Sequence, residues 1–199
     1  MPVSRSHLTR ALHLALLLVV IHQLMTSLIM ERPLPGEAPD WPFALHQSFG
    51  MVGLGVLALF WLWTLARHRA ETPLARLLPW FSAARRGAVA DDVVRLARSV
   101  AALRAPPLPL EALAGAVHGL GLLVATFLAT SGAAWLLFLA GTPYGRTALG
   151  LHKLAGDLMW VYLIAHVSAA VVHRLLGDDV FSRMFWGKRR PARRTAPAE

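Results

Sequence analysis

The sequence predicts an all-α integral membrane protein, a four-helix bundle with an amphipathic cytoplasmic loop. Three observations predict it. Of the 199 residues 56% are hydrophobic, and the mean hydropathy is +0.50, a composition that suits a small helical membrane protein and not a disordered chain. Four apolar runs are long enough to cross a hydrocarbon core of about 30 Å. The Lys and Arg residues gather on one side of the topology that these runs imply.

The first span is expected over about residues 9–30, ALHLALLLVVIHQLMTSLIM at its core, broken only by His, Gln and small hydroxyl residues. A basic start before an apolar run also resembles a secretory signal peptide. No small-x-small cleavage site follows, however, and the run is long for that role. ERPLPGEAPDWP, residues 31–42, is rich in turn formers, and its prolines and Gly36 end the helix. The second span is expected over 41–66, with Trp61 and Trp63 near its end as an interfacial aromatic belt would place them.

Residues 67–109 mix basic and apolar residues and predict one or two amphipathic helices on the membrane surface. Asp91 and Asp92 stand before VVRLARSVAAL, where acidic residues suit a helix start. The third span is expected over 110–140 and the fourth over 149–176, joined by a short turn. Residues 1–180 then form one domain, and 181–199 are a basic tail of disordered composition.

With the N-terminus in the cytoplasm, four spans put both termini and the 67–109 loop inside. Only Arg32, Arg146 and Lys153 then face out, leaving seventeen of the twenty Lys and Arg residues inside. This one-sidedness predicts a bacterial inner-membrane protein with both termini cytoplasmic. The net charge of +9 has a topological origin: no nucleic-acid module accompanies it, so nucleic acid is not an expected partner.

The chain has no cysteine. Disulfides, iron–sulfur clusters, thiolate haem ligation and covalent haem attachment are therefore excluded. Nine histidines remain as soft donors, most of them inside or beside apolar runs. An ionisable residue inside a span is a functional candidate because burying it unpaired is costly. His152 and His166 are fourteen residues apart. That is nearly four helical turns, so both sit on one stripe, about 21 Å apart along the axis.

His13, about one turn inside the first span, matches the depth of His166; His46, opening the second span, matches His152. Two bis-histidine haem b sites, His13/His166 and His46/His152, follow from these depths, because imidazole is a common haem-iron ligand. Gly50 and Gly156 each lie four residues after a histidine, on its face, where they either clear space for a porphyrin or allow close helix packing.

His118, near the same depth as His13, is an alternative ligand or a contact to a haem propionate or a quinone. His173, seven residues past His166, is a candidate proton-handling residue at a quinone pocket, or an interfacial histidine. His22 is nine residues from His13 and faces the other way, as a packing residue or an alternative ligand. His7 and His68 sit at membrane edges.

His13, the LHQSFG segment with His46, and LHKLAGDLMWVYLIAHVSAAVVH with His152, His166 and His173 together resemble the bacterial cytochrome b561 family of four-helix di-haem membrane proteins. The resemblance runs over residues 8–180. The b-type subunits of nickel–iron hydrogenases and formate dehydrogenases share the architecture. The resemblance implies that His13 and His166 hold a cytoplasmic-side haem and His46 and His152 a periplasmic-side one.

It further implies electron transfer between a periplasmic donor and membrane quinone; one branch oxidises superoxide and reduces ubiquinone. The alternative is a membrane-anchor subunit that passes electrons for a partner dehydrogenase or other redox protein. The sequence departs from many members at Leu14, where Trp is common, in keeping only His118 in the third span, and in the length of the 67–109 loop.

Overall fold

The computed structural model describes residues 6–33, 37–67, 74–177 and 180–186. Its described residues form helices and turns with no strand. Four helices are long and apolar enough to cross a membrane: α1 (His7–Ser27), α2 (Trp41–Ala66), α5 (Glu111–Ala134, continued by a π-helical turn to Leu139) and α6 (Gly145–Leu175). Between α2 and α5 lie the short α3 (Leu74–Leu77), a 3-10 turn at Pro79–Phe81 and α4 (Ala83–Ala101). Even the shortest spanning helix, α1 with 21 residues, reaches about 30 Å at 1.5 Å per residue. Beyond residue 186 the expected basic tail lies outside the described residues, as does His68.

The helix ends follow local chemistry. Ser6 Oγ accepts from Thr9 N at 3.2 Å and starts α1. Asp40 caps α2 by accepting from Phe43 N at 2.8 Å, and its other oxygen accepts from Glu31 N at 2.9 Å, which closes the preceding loop. Such N-caps satisfy amides that the helix itself leaves open. Gly141, at φ 79°, turns the chain after α5, a left-handed conformation that glycine takes without strain. α6 begins at Gly145 and not near 149, because the RTAL segment continues the helix N-terminally.

The spans pack in the order α1–α2–α5–α6, while α6 stands off from α1 and α2. A single core draws on all four: Leu24, Leu57, Leu122, Ala125 and Met159. Leu18, Leu59, Leu62, Val161 and Ile164 are exposed on the outside, as lipid-facing residues are. Two indole N–H groups tie neighbours together: Trp61 Nε1 donates to Thr126 Oγ1 and Trp63 Nε1 to Thr9 Oγ1, both at 2.9 Å. These tryptophans therefore join spans as well as marking the end of α2, because a buried indole N–H requires an acceptor.

α4 differs from its expected start. It begins at Ala83 behind Ser82, whose Oγ accepts from Arg85 N, and not at Asp91. Asp92 instead sits mid-helix and caps a different helix. Its Oδ2 accepts from Ala112 N and Leu113 N, both at 3.0 Å, at the start of α5, where Leu110 offers no side-chain cap. Arg95 also donates to Asp92. Partial burial works to raise the Asp92 carboxyl pKa, but the backbone donations and the Arg95 guanidinium outweigh it and hold the group below the ordinary carboxylate value. The segment between α2 and α5 is thus fastened to the first turn of a spanning helix.

Candidate redox centres

Each histidine's place follows from its helix. His13 lies about two turns into α1 and His166 about two turns before the end of α6, so both belong to the end of the bundle where the described chain begins. Their ring centroids are 6.5 Å apart with planes inclined at 48°. His46 lies in the second turn of α2 and His152 in the second to third turn of α6, at the opposite end. Their centroids are 6.2 Å apart and their planes near perpendicular at 85°. We call these the proximal and distal pairs. Fourteen residues along α6 separate their levels, about 21 Å.

Both pairs straddle the seam where α6 stands off from α1 and α2. The glycines divide between the two expected roles. A Cβ at Gly156, on α6, would meet nothing within 4 Å, so that face keeps open clearance beside the seam. A Cβ at Gly50 would come 2.8 Å from Gln23 Nε2, so this glycine serves the approach of α1 to α2. Gln23 Nε2 in turn donates to the His46 carbonyl at 3.0 Å.

The remaining histidines are distinct. His118 lies beside the proximal pair, its centroid 5.2 Å from that of His166. It is exposed, and its Nδ1 is 2.6 Å from the Ala114 carbonyl one turn back. His173 is half-buried near the end of α6, one and a half to two turns beyond His166. His22 does not join the other imidazoles in a pair: its ring packs on Phe49 at 4.2 Å, and its buried Nε2 has no hydrogen-bond partner among the described residues. His7, exposed at the start of α1, is 2.9 Å from Arg10 Nη2 through Nδ1.

Several groups around the pairs carry no motif in the sequence. Tyr162 stacks on His166 with centroids 5.4 Å apart and planes 12° from parallel. It fits there because Gly121 faces it: a Cβ at 121 would lie 2.1 Å from the phenol ring. At the distal pair Thr26 Oγ1 is 3.1 Å from His46 Nδ1 and Ser131 Oγ 3.0 Å from His152 Nδ1. A Cβ at Gly132 would crowd His152 Cε1 at 3.0 Å. In the sequence Thr26 and Ser131 are two small hydroxyl residues among several in the spans, and only the cross-helix distances single them out.

The donor set suits haem iron. It is all imidazole, in pairs whose ring centroids stand 6.2 and 6.5 Å apart, and no group of three or more His, Asp or Glu side chains able to hold a bare metal ion occurs among the described residues. Comparison with known proteins supplies the family. No curated protein and no solved structure matches the chain. The family model of prokaryotic cytochrome b561 matches residues 4–187. The chain therefore belongs to the prokaryotic cytochrome b561 family, bacterial membrane proteins of haem-based transmembrane electron transfer that bind b-type haem, typically two.

Proposed function

We propose that His46 and His152 hold one haem b and His13 and His166 the other, and that the chain carries electrons from a periplasmic donor to membrane quinone. The observation that carries this reading is the separation of the facing rings. The distal and proximal rings, each pair drawn from two spans, stand 6.2 and 6.5 Å apart centre to centre, and each pair would hold one haem iron through a nitrogen of either ring. His118 stands closer to His166, at 5.2 Å, and is assigned a contact role, with His173, toward a quinone or a haem propionate.

When bound, haem supplies one-electron transfer, and two histidine ligands leave no open iron position for other chemistry. The chain's own part is to hold the imidazoles at two levels, keep them in an apolar bundle and orient them. Both termini and α4 lie in the cytoplasm on this reading, since that puts seventeen of the twenty Lys and Arg residues inside. Arg146 and Lys153, both exposed beside the distal pair's end of α6, then offer positive charge to an anionic donor such as superoxide. A role as membrane anchor for a partner redox protein draws on a separate observation: α4 leaves Val93, Val94 and Val100 exposed among its arginines.

A pyridine haemochrome assay on the purified protein tests the assignment. Two b-type haems per chain are expected, and one in His152→Ala. No haem in the parent protein, or both retained in His152→Ala, would overturn it. Superoxide-dependent quinone reduction by the isolated protein separates the direct donor from the anchor role.

A further inference from the structure

The distal pair is held from behind by two hydroxyl groups, and all four spans contribute. Thr26 comes from α1, His46 from α2, Ser131 from α5 and His152 from α6. Thr26 Oγ1 lies 3.1 Å from His46 Nδ1, and Ser131 Oγ 3.0 Å from His152 Nδ1. A hydroxyl has one proton and two lone pairs. Thr26 donates that proton along its own helix, to the His22 carbonyl at 2.9 Å with the Gln23 carbonyl at 3.2 Å. Ser131 donates to the Leu128 carbonyl at 3.3 Å. Carbonyl oxygens only accept, so each hydroxyl oxygen is left to accept at the histidine, beside the Gln23 and Leu128 carbonyls that also lie within reach of His46 and His152. Nδ1 of both rings then carries the proton, and Nε2 of both is the nitrogen with a free lone pair.

Back-donation by Thr or Ser to the preceding helical turn is common by itself. Here it occurs at the two positions that touch the Nδ1 atoms of the same facing pair. The surroundings hold these contacts in register. Thr26 is buried, at 6% exposure. Gln23, three residues before it, fixes the His46 backbone through the carbonyl. Gly132, next to Ser131, allows His152 to lie close to α5.

We infer that Thr26 and Ser131 are positioning residues of the distal redox centre, whose oxygens fix the tautomer and orientation of His46 and His152 and set the reduction potential of the haem they hold. The inference rests on the ligand assignment above. Donating its Nδ1–H to an acceptor makes an imidazole a stronger ligand to a metal through Nε2. A stronger donor favours the ferric state, so loss of the acceptor raises the potential of that haem.

The test is a spectroelectrochemical titration of the holoprotein in detergent, with its two haem transitions, for Thr26→Val, Thr26→Ser and Ser131→Ala. Thr26→Val and Ser131→Ala are each expected to raise the midpoint of one and the same transition, by threefold to tenfold in the ferric–ferrous equilibrium; tenfold is about 59 mV for one electron. The other transition stays in place. Thr26→Ser keeps the hydroxyl and keeps the parent value.

The inference fails if neither substitution moves a transition, if the two move different transitions, or if Thr26→Ser shifts as far as Thr26→Val. Should Thr26→Val not retain the distal haem, Ser131→Ala carries the same decision alone. The His152→Ala haem count keeps the two readings apart. Both haems retained there sinks the ligand assignment; one haem lost there, with midpoints unmoved in Thr26→Val and Ser131→Ala, sinks only the role of the hydroxyls.

Discussion

Replacing Gly119 with alanine sets two effects of opposite sign against each other. Gly119 is an interior residue of α5, and alanine in a helix interior is favoured over glycine by about 0.8–1.0 kcal/mol. Against this stands the carbonyl of Leu77 in α3. An added Cβ would lie 1.7 Å from its oxygen and 2.6 Å from its carbon. Real Cβ atoms do not approach such atoms within 3.0 Å, so Leu77 would have to retreat by at least about 1.3 Å.

The obstacle is backbone, which no rotamer change removes, and Leu77 and Pro79 behind it are buried. Overpacking of this kind costs about 1–3 kcal/mol, and an immovable obstacle belongs at the upper end. The clash therefore wins by about 1–2 kcal/mol, or about 2–8 °C of melting temperature for a chain of this length. Thermal unfolding of the holoprotein in detergent, followed by circular dichroism, reads the difference. Gly55→Ala and Gly150→Ala serve as references: a Cβ at either meets nothing within 4 Å, so propensity alone acts and stability holds or rises. A Gly119→Ala protein as stable as those two would refute the packing of α3 on α5.

Three further outcomes are expected. Asp92→Ala removes the cap shared by Ala112 and Leu113 and lowers stability by about 1–2 kcal/mol, read by the same melt. Because the folded Asp92 carboxyl lies below the ordinary aspartate value of 3.8, its contribution is full above that pH and is lost as pH falls through the lower folded value; an acid titration of the parent should show a loss that Asp92→Ala lacks. Trp61→Phe removes the indole bond to Thr126 and should cost about 0.5–1.5 kcal/mol with the haem content unchanged. His22→Ala should retain two haems in the pyridine haemochrome assay, since His22 packs on Phe49 and faces no second imidazole in a pair; a lost haem there would make it a ligand.

Much of the architecture is legible in the residues themselves. Four apolar runs, separated by Pro- and Gly-rich turns and by one basic segment, define four spans, because hydrophobic length and helix breaking are local properties. The second span is expected from Trp41, after a proline-rich loop, and α2 begins there. The stripe shared by His152 and His166 is likewise local, since it needs only the 3.6-residue period of one helix.

What the tertiary structure decides is which side chains meet across helices. The spans are apolar on nearly every side, so periodicity does not mark the face each turns toward its neighbours. For that reason Asp92 reads as the start of its own helix when it in fact caps another, and only the packing separates Gly50, which admits Gln23, from Gly156, which keeps clearance. Thr26, Ser131 and Tyr162 were equally silent: a hydroxyl in a span acquires a role only when the rotation of a neighbouring helix brings an imidazole nitrogen to within 3.1 Å of it. One helix's sequence sets the depth of a histidine in the membrane, but the partner it faces depends on the azimuth of two helices at once, and that is fixed by packing.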